Sequence, residues 1–193
     1  MELTPELLLS AYTQGIFPMA DEDDEIYWYD PDPRAILPLN SFHVPRSLQR
    51  VVKQGGYDVR RDSAFGEVIR ACAEPSSGRE DTWINEDLIL AYEDLFRLGF
   101  VHSVEVWHDD LLAGGLYGVA INGLFAGESM FSRTRDASKI ALVHLVEHLR
   151  RQGFLLLDIQ FLTEHLERFG AIEIPRPEYK SELLMALNQP AKF

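Results

Sequence analysis

Residues 101–131 constrain the fold of this chain more than any other stretch. Over 101–107, Val101, Ser103, Glu105 and Trp107 alternate with His102, Val104 and Val106, the period of two that a half-buried strand produces. Residues 111–131 then read as two further strands joined at Asn122-Gly123, a dipeptide whose backbone suits the tight turn of a hairpin. A helix is expected to follow from Asp136 or Ser138 to Arg151, with Leu142, Leu145, Val146 and Leu149 on one face and Gly153 as its stop. After it, residues 154–162 are apolar except for Asp158 and Gln160, which predicts a buried strand. Helices on a mostly antiparallel sheet, with one helix between the hairpin and the buried strand, indicate an α+β fold.

The flanking regions are read with the same signals. Thr4-Pro5-Glu6 supplies a hydroxyl cap, a proline at the first helical position and an early carboxylate, so residues 5–14 are expected to be helical. Residues 16–38, rich in proline, acid and aromatics, are expected to form an ordered but irregular loop. Short helices are predicted from Pro45 to Gln54 and from Asp62 or Ser63 to about Ala73. Asn85 should cap a longer helix, carrying Leu88, Tyr92, Leu95 and Phe96, that ends at Gly99. Thr163 caps a last short helix ending at Gly170, and residues 171–174 form a final strand. With 193 residues the chain suffices for one substantial core, or for a small lobe leaning on a larger one. Pro75-Ser76-Ser77-Gly78 is the best boundary, dividing a small N-terminal lobe, 1–75, from a larger one, 76–193.

Composition excludes several classes. The longest apolar stretch is far shorter than the ~20 residues a membrane-spanning helix needs. No secretory signal pattern opens the chain, so a cytoplasmic location is expected. Cys72 is the only cysteine, leaving neither an intrachain disulfide nor a cysteine-rich zinc site. The net charge of −13 looks hostile to nucleic acid, but its distribution is uneven. Nine acidic residues precede the first basic one, Arg34, whereas Arg46, Arg50, Lys53, Arg60, Arg61 and Arg70 outnumber the acids around them. Such a patch suits either a phosphate backbone or an ordinary solvated face.

Asp158 and Gln160 are the most informative polar residues, because side chains two apart on a strand share a face and would converge on one pocket. Burying a carboxylate among Leu, Ile and Phe requires compensation, which either a hydrogen-bonded core network or a polar site in an apolar wall would explain. Glu128 and Met130, on the hairpin's second strand, share a face under ideal alternation, and Gly127 leaves room for a ligand or a bulge. Glu128 taken alone is equally an edge-strand carboxylate in water. Trp28 and Trp83 lie in loop-like contexts that suit either a nucleobase platform or simple packing. His144, Glu147 and His148 spell a zinc-peptidase motif, but helical spacing sets both histidines opposite the core stripe and no third ligand is evident.

Gly15-Ile16-Phe17-Pro18, Trp28 with Asp30-Pro31-Asp32-Pro33-Arg34, Thr82-Trp83-Ile84, His102-Ser103-Val104-Glu105-Val106-Trp107, Gly127-Glu128-Ser129-Met130-Phe131-Ser132 and Asp158-Ile159-Gln160 together resemble the leucyl/phenylalanyl-tRNA-protein transferases. The resemblance runs from Leu7 to Tyr179. It implies that 76–193 is a catalytic lobe with an acetyltransferase-like (GNAT) fold, and that Leu or Phe passes from aminoacyl-tRNA to proteins beginning with Lys or Arg, marking them for N-end rule degradation. It implies no cofactor and no metal. By the same resemblance, Asp158, Gln160 and Glu128 line the reaction centre, Trp83 helps hold the terminal adenosine, and Met130 belongs to the side-chain pocket. Phe125, Leu116, Leu142, Leu145 and Leu157 are expected, by position, to complete that pocket. An apolar pocket discriminates single methylenes weakly, so some transfer of Met is expected. Asp158 is expected to accept a hydrogen bond or proton from the attacking amine, Gln160 to align it and the developing oxyanion, and Glu128 to help hold the cationic acceptor. Two departures stand out: Met19 occupies a position where many members carry Trp, and the stretch before Leu3 is short. An acyl-coenzyme A N-acyltransferase would carry a glycine-containing turn where this chain has residues 132–138, without glycine. A non-catalytic binder of basic N-termini or of tRNA is the other alternative.

Overall fold

The computed structural model describes residues 3–75 and 82–193. The first helix, α1 (Pro5–Thr13), starts where the Thr4 hydroxyl accepts the Leu7 N–H, with proline in the first turn. Residues 16–38 are more regular than a loop. They hold a two-stranded antiparallel ribbon of β1 (Phe17–Ala20) and β2 (Ile26–Tyr29), then the short strand β3 (Arg34–Ile36). Proline is tolerated in β1 because the ribbon has only one paired side, and the Phe17 and Tyr29 rings stack across it at 5.9 Å.

Next come α2 (Arg46–Gln54), β4 (Asp58–Arg61), α3 (Phe65–Ala73) and α4 (Glu86–Arg97), the last capped as expected by the Asn85 side chain on the Leu88 N–H. The predicted strand and hairpin are β5 (Val101–His108), β6 (Leu111–Ile121) and β7 (Leu124–Ser132), turning at Asn122 with φ 52°. They lead into α5 (Ala137–Gln152), β8 (Leu156–Gln160), α6 (Glu164–Glu167), β9 (Ile172–Ile174) and α7 (Arg176–Leu187). Neither β4 nor α7 was anticipated.

Seven strands form one sheet in the order β4-β5-β6-β7-β8-β3-β9, and every neighbouring pair is antiparallel except β7–β8. The crossover that a parallel pair requires is supplied by α5, the helix between them. The fold is therefore α+β with a mostly antiparallel sheet. One apolar cluster joins the sheet to α5, and a second joins it to α1, α3 and α4. Packing on the α5 side is close: a Cβ at Gly114 would lie 2.6 Å from that of Ala137.

Two expectations are affected here. The connector at 75–78, and with it the lobe boundary, runs into residues 76–81, outside the described residues. His148 was placed on a solvated face, yet it is 5% exposed. The reason is Phe193, which sits edge-on to the His148 ring at 4.6 Å and stacks on His102 of β5 at 4.4 Å, joining this flank of the helix to the sheet. Burial, Arg61 and Arg151 hold His148 down to about 4, so it is neutral. Among the described residues no group of three or more His, Cys, Asp or Glu could hold a metal ion, and no helix is long and apolar enough to cross a membrane.

Candidate active site

Two β-bulges create the site. In the hairpin, Tyr117 pairs with Ser129 but the next residue, Gly118, pairs with Gly127, so Glu128 is the extra residue of β7. In β8, Ile36 pairs with Asp158 and Ala35 with Gln160, leaving Ile159 unmatched. Bulges bend a strand and re-aim the side chains around them. The parallel pairing of β7 with β8 reaches only Ala126 and Asp158. Just beyond that point a cavity of about 280 Å3 opens, and both Glu128 and Gln160 reach it.

Its walls are largely apolar. Leu116, Met130, Leu142, Leu145 and Leu157 line it, together with Trp83 and Met19. Phe125 does not belong to this lining: it is fully buried against Phe193, on the far side of the bulge that breaks the alternation of β7. Trp28, on β2, packs against the α1–α3–α4 cluster and is likewise not part of the lining. Thr163, His165 and Leu166, at the start of α6, were not foreseen and complete the wall. Burial and the nearby Lys139 and Arg168 lower His165, which keeps that side chain neutral.

At the polar end, the Gln160 side-chain amide donates to Glu128 Oε1 at 3.0 Å, bridging the two parted strands. Tyr12 also donates to Oε1 (2.7 Å) and Tyr92 to Oε2 (3.1 Å), while the two phenolic oxygens lie 2.7 Å apart. With both phenols donating to the carboxylate, the tyrosine–tyrosine contact is left without a proton; a proton on Glu128 Oε2 fills it by donating to Tyr92, which then donates to Tyr12. Burial pushes Glu128 up to about 7, against the pull of hydrogen bonds from Tyr12, Gln160 and Tyr92. Both tyrosines are pushed well above their ordinary range by burial and by Glu128. No sequence signal singled out Tyr12 or Tyr92, because helical spacing alone makes each an ordinary core residue.

Asp158 is adjacent but does not face the cavity, for the bulge at Ile159 breaks the shared face expected of residues two apart. Its Oδ1 accepts Arg34 Nε (2.9 Å) and the Gln160 backbone N–H (2.9 Å); its Oδ2 accepts Arg34 Nη2 (2.6 Å) and the Tyr179 hydroxyl (2.7 Å). Asp158 and Arg34 are each 1% exposed. Asp158 therefore touches Gln160 through the backbone, while the Gln160 side chain turns the other way, to Glu128.

An apolar cavity that ends on a carboxyl and a carboxamide suits the transfer of an apolar acyl group, and the comparisons set the class as aminoacyltransferase. A family model described as "Leucyl/phenylalanyl-tRNA protein transferase" matches residues 36–184, and that of the family's N-terminal domain matches residues 1–32. The chain belongs to the leucyl/phenylalanyl-tRNA protein transferase family. It is 56% identical over 193 residues to the leucyl/phenylalanyl-tRNA–protein transferase of Paramagnetospirillum magneticum, covering 99% of this chain and 92% of that one. The Herpetosiphon aurantiacus protein of the same name is 57% identical over 192 residues, covering 99% and 98%. Among solved structures, L-PGS from Bacillus licheniformis is similar in fold with a TM-score of 0.51 at 14% identity, over 94% of this chain and 76% of that one.

Proposed function

We propose that the protein transfers Leu or Phe, and Met weakly, from aminoacyl-tRNA to the N-terminal Lys or Arg of acceptor proteins, acting in the cytoplasm and marking its products for N-end rule degradation. The observation that carries the reading is an apolar cavity closed at one end by the Gln160–Glu128 pair, in a member of this family. The amino acid's side chain lies among Leu116, Met130, Leu142, Leu145 and Leu157, and Trp83 at the rim holds the terminal adenosine, with Met19 where many members carry a second aromatic wall. The basic face of α2, with Arg46, Arg50 and Lys53, meets the tRNA phosphates. We further propose that the sheet is GNAT-like, and that residues 1–75 act as a small N-terminal lobe that adds β3 and β4 to the sheet of the catalytic lobe, 76–193, and lends it Tyr12 and Arg34.

The chemistry asks little of the protein. The donor is an activated ester; the acceptor's nitrogen forms a bond to the carbonyl carbon, the bond to the ribose oxygen breaks, and the amine's surplus proton ends on that oxygen. An α-amine of pKa about 7.7–8.0 is roughly one-tenth neutral at pH 7, a cost of only about 1.4 kcal/mol, so positioning dominates. The Gln160 carbonyl accepts from the attacking amine and its amide steadies the developing oxyanion. Glu128, whose carboxyl sits at about 7, gives up its proton as the acceptor's cation arrives and holds that cation as a carboxylate. Asp158, with its oxygens already engaged, acts through Gln160 rather than on the amine directly. Incubating the protein with labelled Phe-tRNA and a Lys- or Arg-initiated peptide, without coenzyme A, should yield labelled peptide. Absence of label, or a requirement for coenzyme A, overturns the assignment.

A further inference from the structure

Gln160 has φ 66°, the left-handed region, although it is not glycine. Such a residue persists only where its surroundings hold it there. What holds it is the N–H···Oδ1 bond from Gln160 back to Asp158, two residues earlier. Asp158 is in turn fixed from behind. Arg34, on β3, grips both carboxylate oxygens and spends its remaining nitrogen on the Gly15 carbonyl at 2.9 Å. Its guanidinium lies 4.7 Å from the Phe17 ring centre and 4.5 Å from that of Tyr179, whose hydroxyl supplies the last bond to Asp158. A buried ion pair adds little net stability over an apolar replacement, so one built this completely is better explained by the geometry it specifies. On the side facing the cavity, that geometry is the turn at Gln160.

We infer that Arg34 and Tyr179 are positioning residues for the transfer: they clamp Asp158, and Asp158 fixes the left-handed turn that aims the Gln160 carboxamide into the cavity. The inference rests on the reading of Gln160 as a reaction-centre group. Neither Arg34 nor Tyr179 lines the cavity, so any effect they have on turnover must pass through another residue.

A double-mutant cycle tests this. Tyr179→Phe keeps the ring against Arg34 and removes one bond to Asp158; Arg34→Lys cannot reproduce the two-pronged grip. Steady-state transfer is measured for each, for Gln160→Ala, and for each combined with Gln160→Ala. Tyr179→Phe is expected to lower kcat about tenfold and Arg34→Lys about a hundredfold, with KM for Phe-tRNA changed less than about twofold. In the Gln160→Ala background each should cost less than about a further twofold, because the group being positioned is gone. Losses that multiply in full in that background, or that appear in KM alone, overturn the clamp. If Arg34→Lys fails to fold by near-ultraviolet circular dichroism, the Tyr179→Phe cycle decides. Wild-type turnover by Gln160→Ala itself would instead overturn the reaction-centre reading.

Discussion

Replacing Glu128 with Gln should remove a specific pH dependence from the protein's stability. In the folded chain burial raises this carboxyl to about 7, against an ordinary value of 4.5. Because the folded value is the higher, the folded state holds the proton more tightly than the unfolded one. The resulting stability is fully present below about pH 4.5 and is lost as pH rises through about 7. That separation corresponds to about 3 kcal/mol in all, most of it lost between pH 5 and pH 8. Gln is neutral throughout, and its amide can replace the Glu128 proton that completes the ring with Tyr92 and Tyr12. Urea denaturation of both proteins at pH 5, 6, 7 and 8 isolates the effect, since the other titrating groups are common to both. The variant should gain on the wild type by about 2–3 kcal/mol across that range, most of it by pH 7. Two stability curves that stay parallel would refute the reasoning, by showing that Glu128 ionises at its ordinary value in the folded chain.

Asp158→Asn should leave Arg34 buried without its counter-charge, costing about 3–5 kcal/mol and lowering Tm by roughly 10 °C, as thermal unfolding would record. Met130→Ala should reduce kcat/KM for Phe-tRNA about tenfold or more while binding of uncharged tRNA changes less than about twofold; equal losses in both would contradict the pocket assignment. Gly118→Ala should destabilise the fold by about 1–3 kcal/mol or more in chemical denaturation, because the added carbon would lie 2.4 Å from both the Ala126 carbonyl oxygen and the Phe125 ring.

What could be read beforehand depended on how local its cause was. Asn122-Gly123 and the alternation of 101–107 carry their own turn and period, so the hairpin and its neighbour appear where they were expected. Strand β3 has no such signal. It is three residues long, begins next to a proline, and exists because β8 and β9 arrive to pair with it from more than a hundred residues away. The site divides the same way. Asp158, Gln160 and Glu128 stand out as polar groups in apolar strands, whereas the partners that define their roles are distant: Arg34 is 124 residues from Asp158, and Tyr12 is 116 from Glu128. Arg34 offered one faint hint, as a lone cation opening the apolar run Ala35-Ile36-Leu37. The bulges were harder still. Gly127 suggested one, but nothing in Asp158-Ile159-Gln160 announces that its middle residue is unpaired, and so the shared face of Asp158 and Gln160 was expected and not found. His148 escapes the pattern because the amphipathic stripe of α5 marks only residues that meet the sheet directly, and cannot show that Phe193 will bridge His148 to His102 and Phe125 on the sheet.

The hollow between β7 and β8 owes its existence to a matter of counting. Each of those strands carries one residue more than its antiparallel neighbour can match, and removing either would let the ladder zip without interruption. A version of this protein shortened by a single amino acid at 128 or 159 would therefore be expected to knit a seamless, well-folded sheet with no room left for a guest.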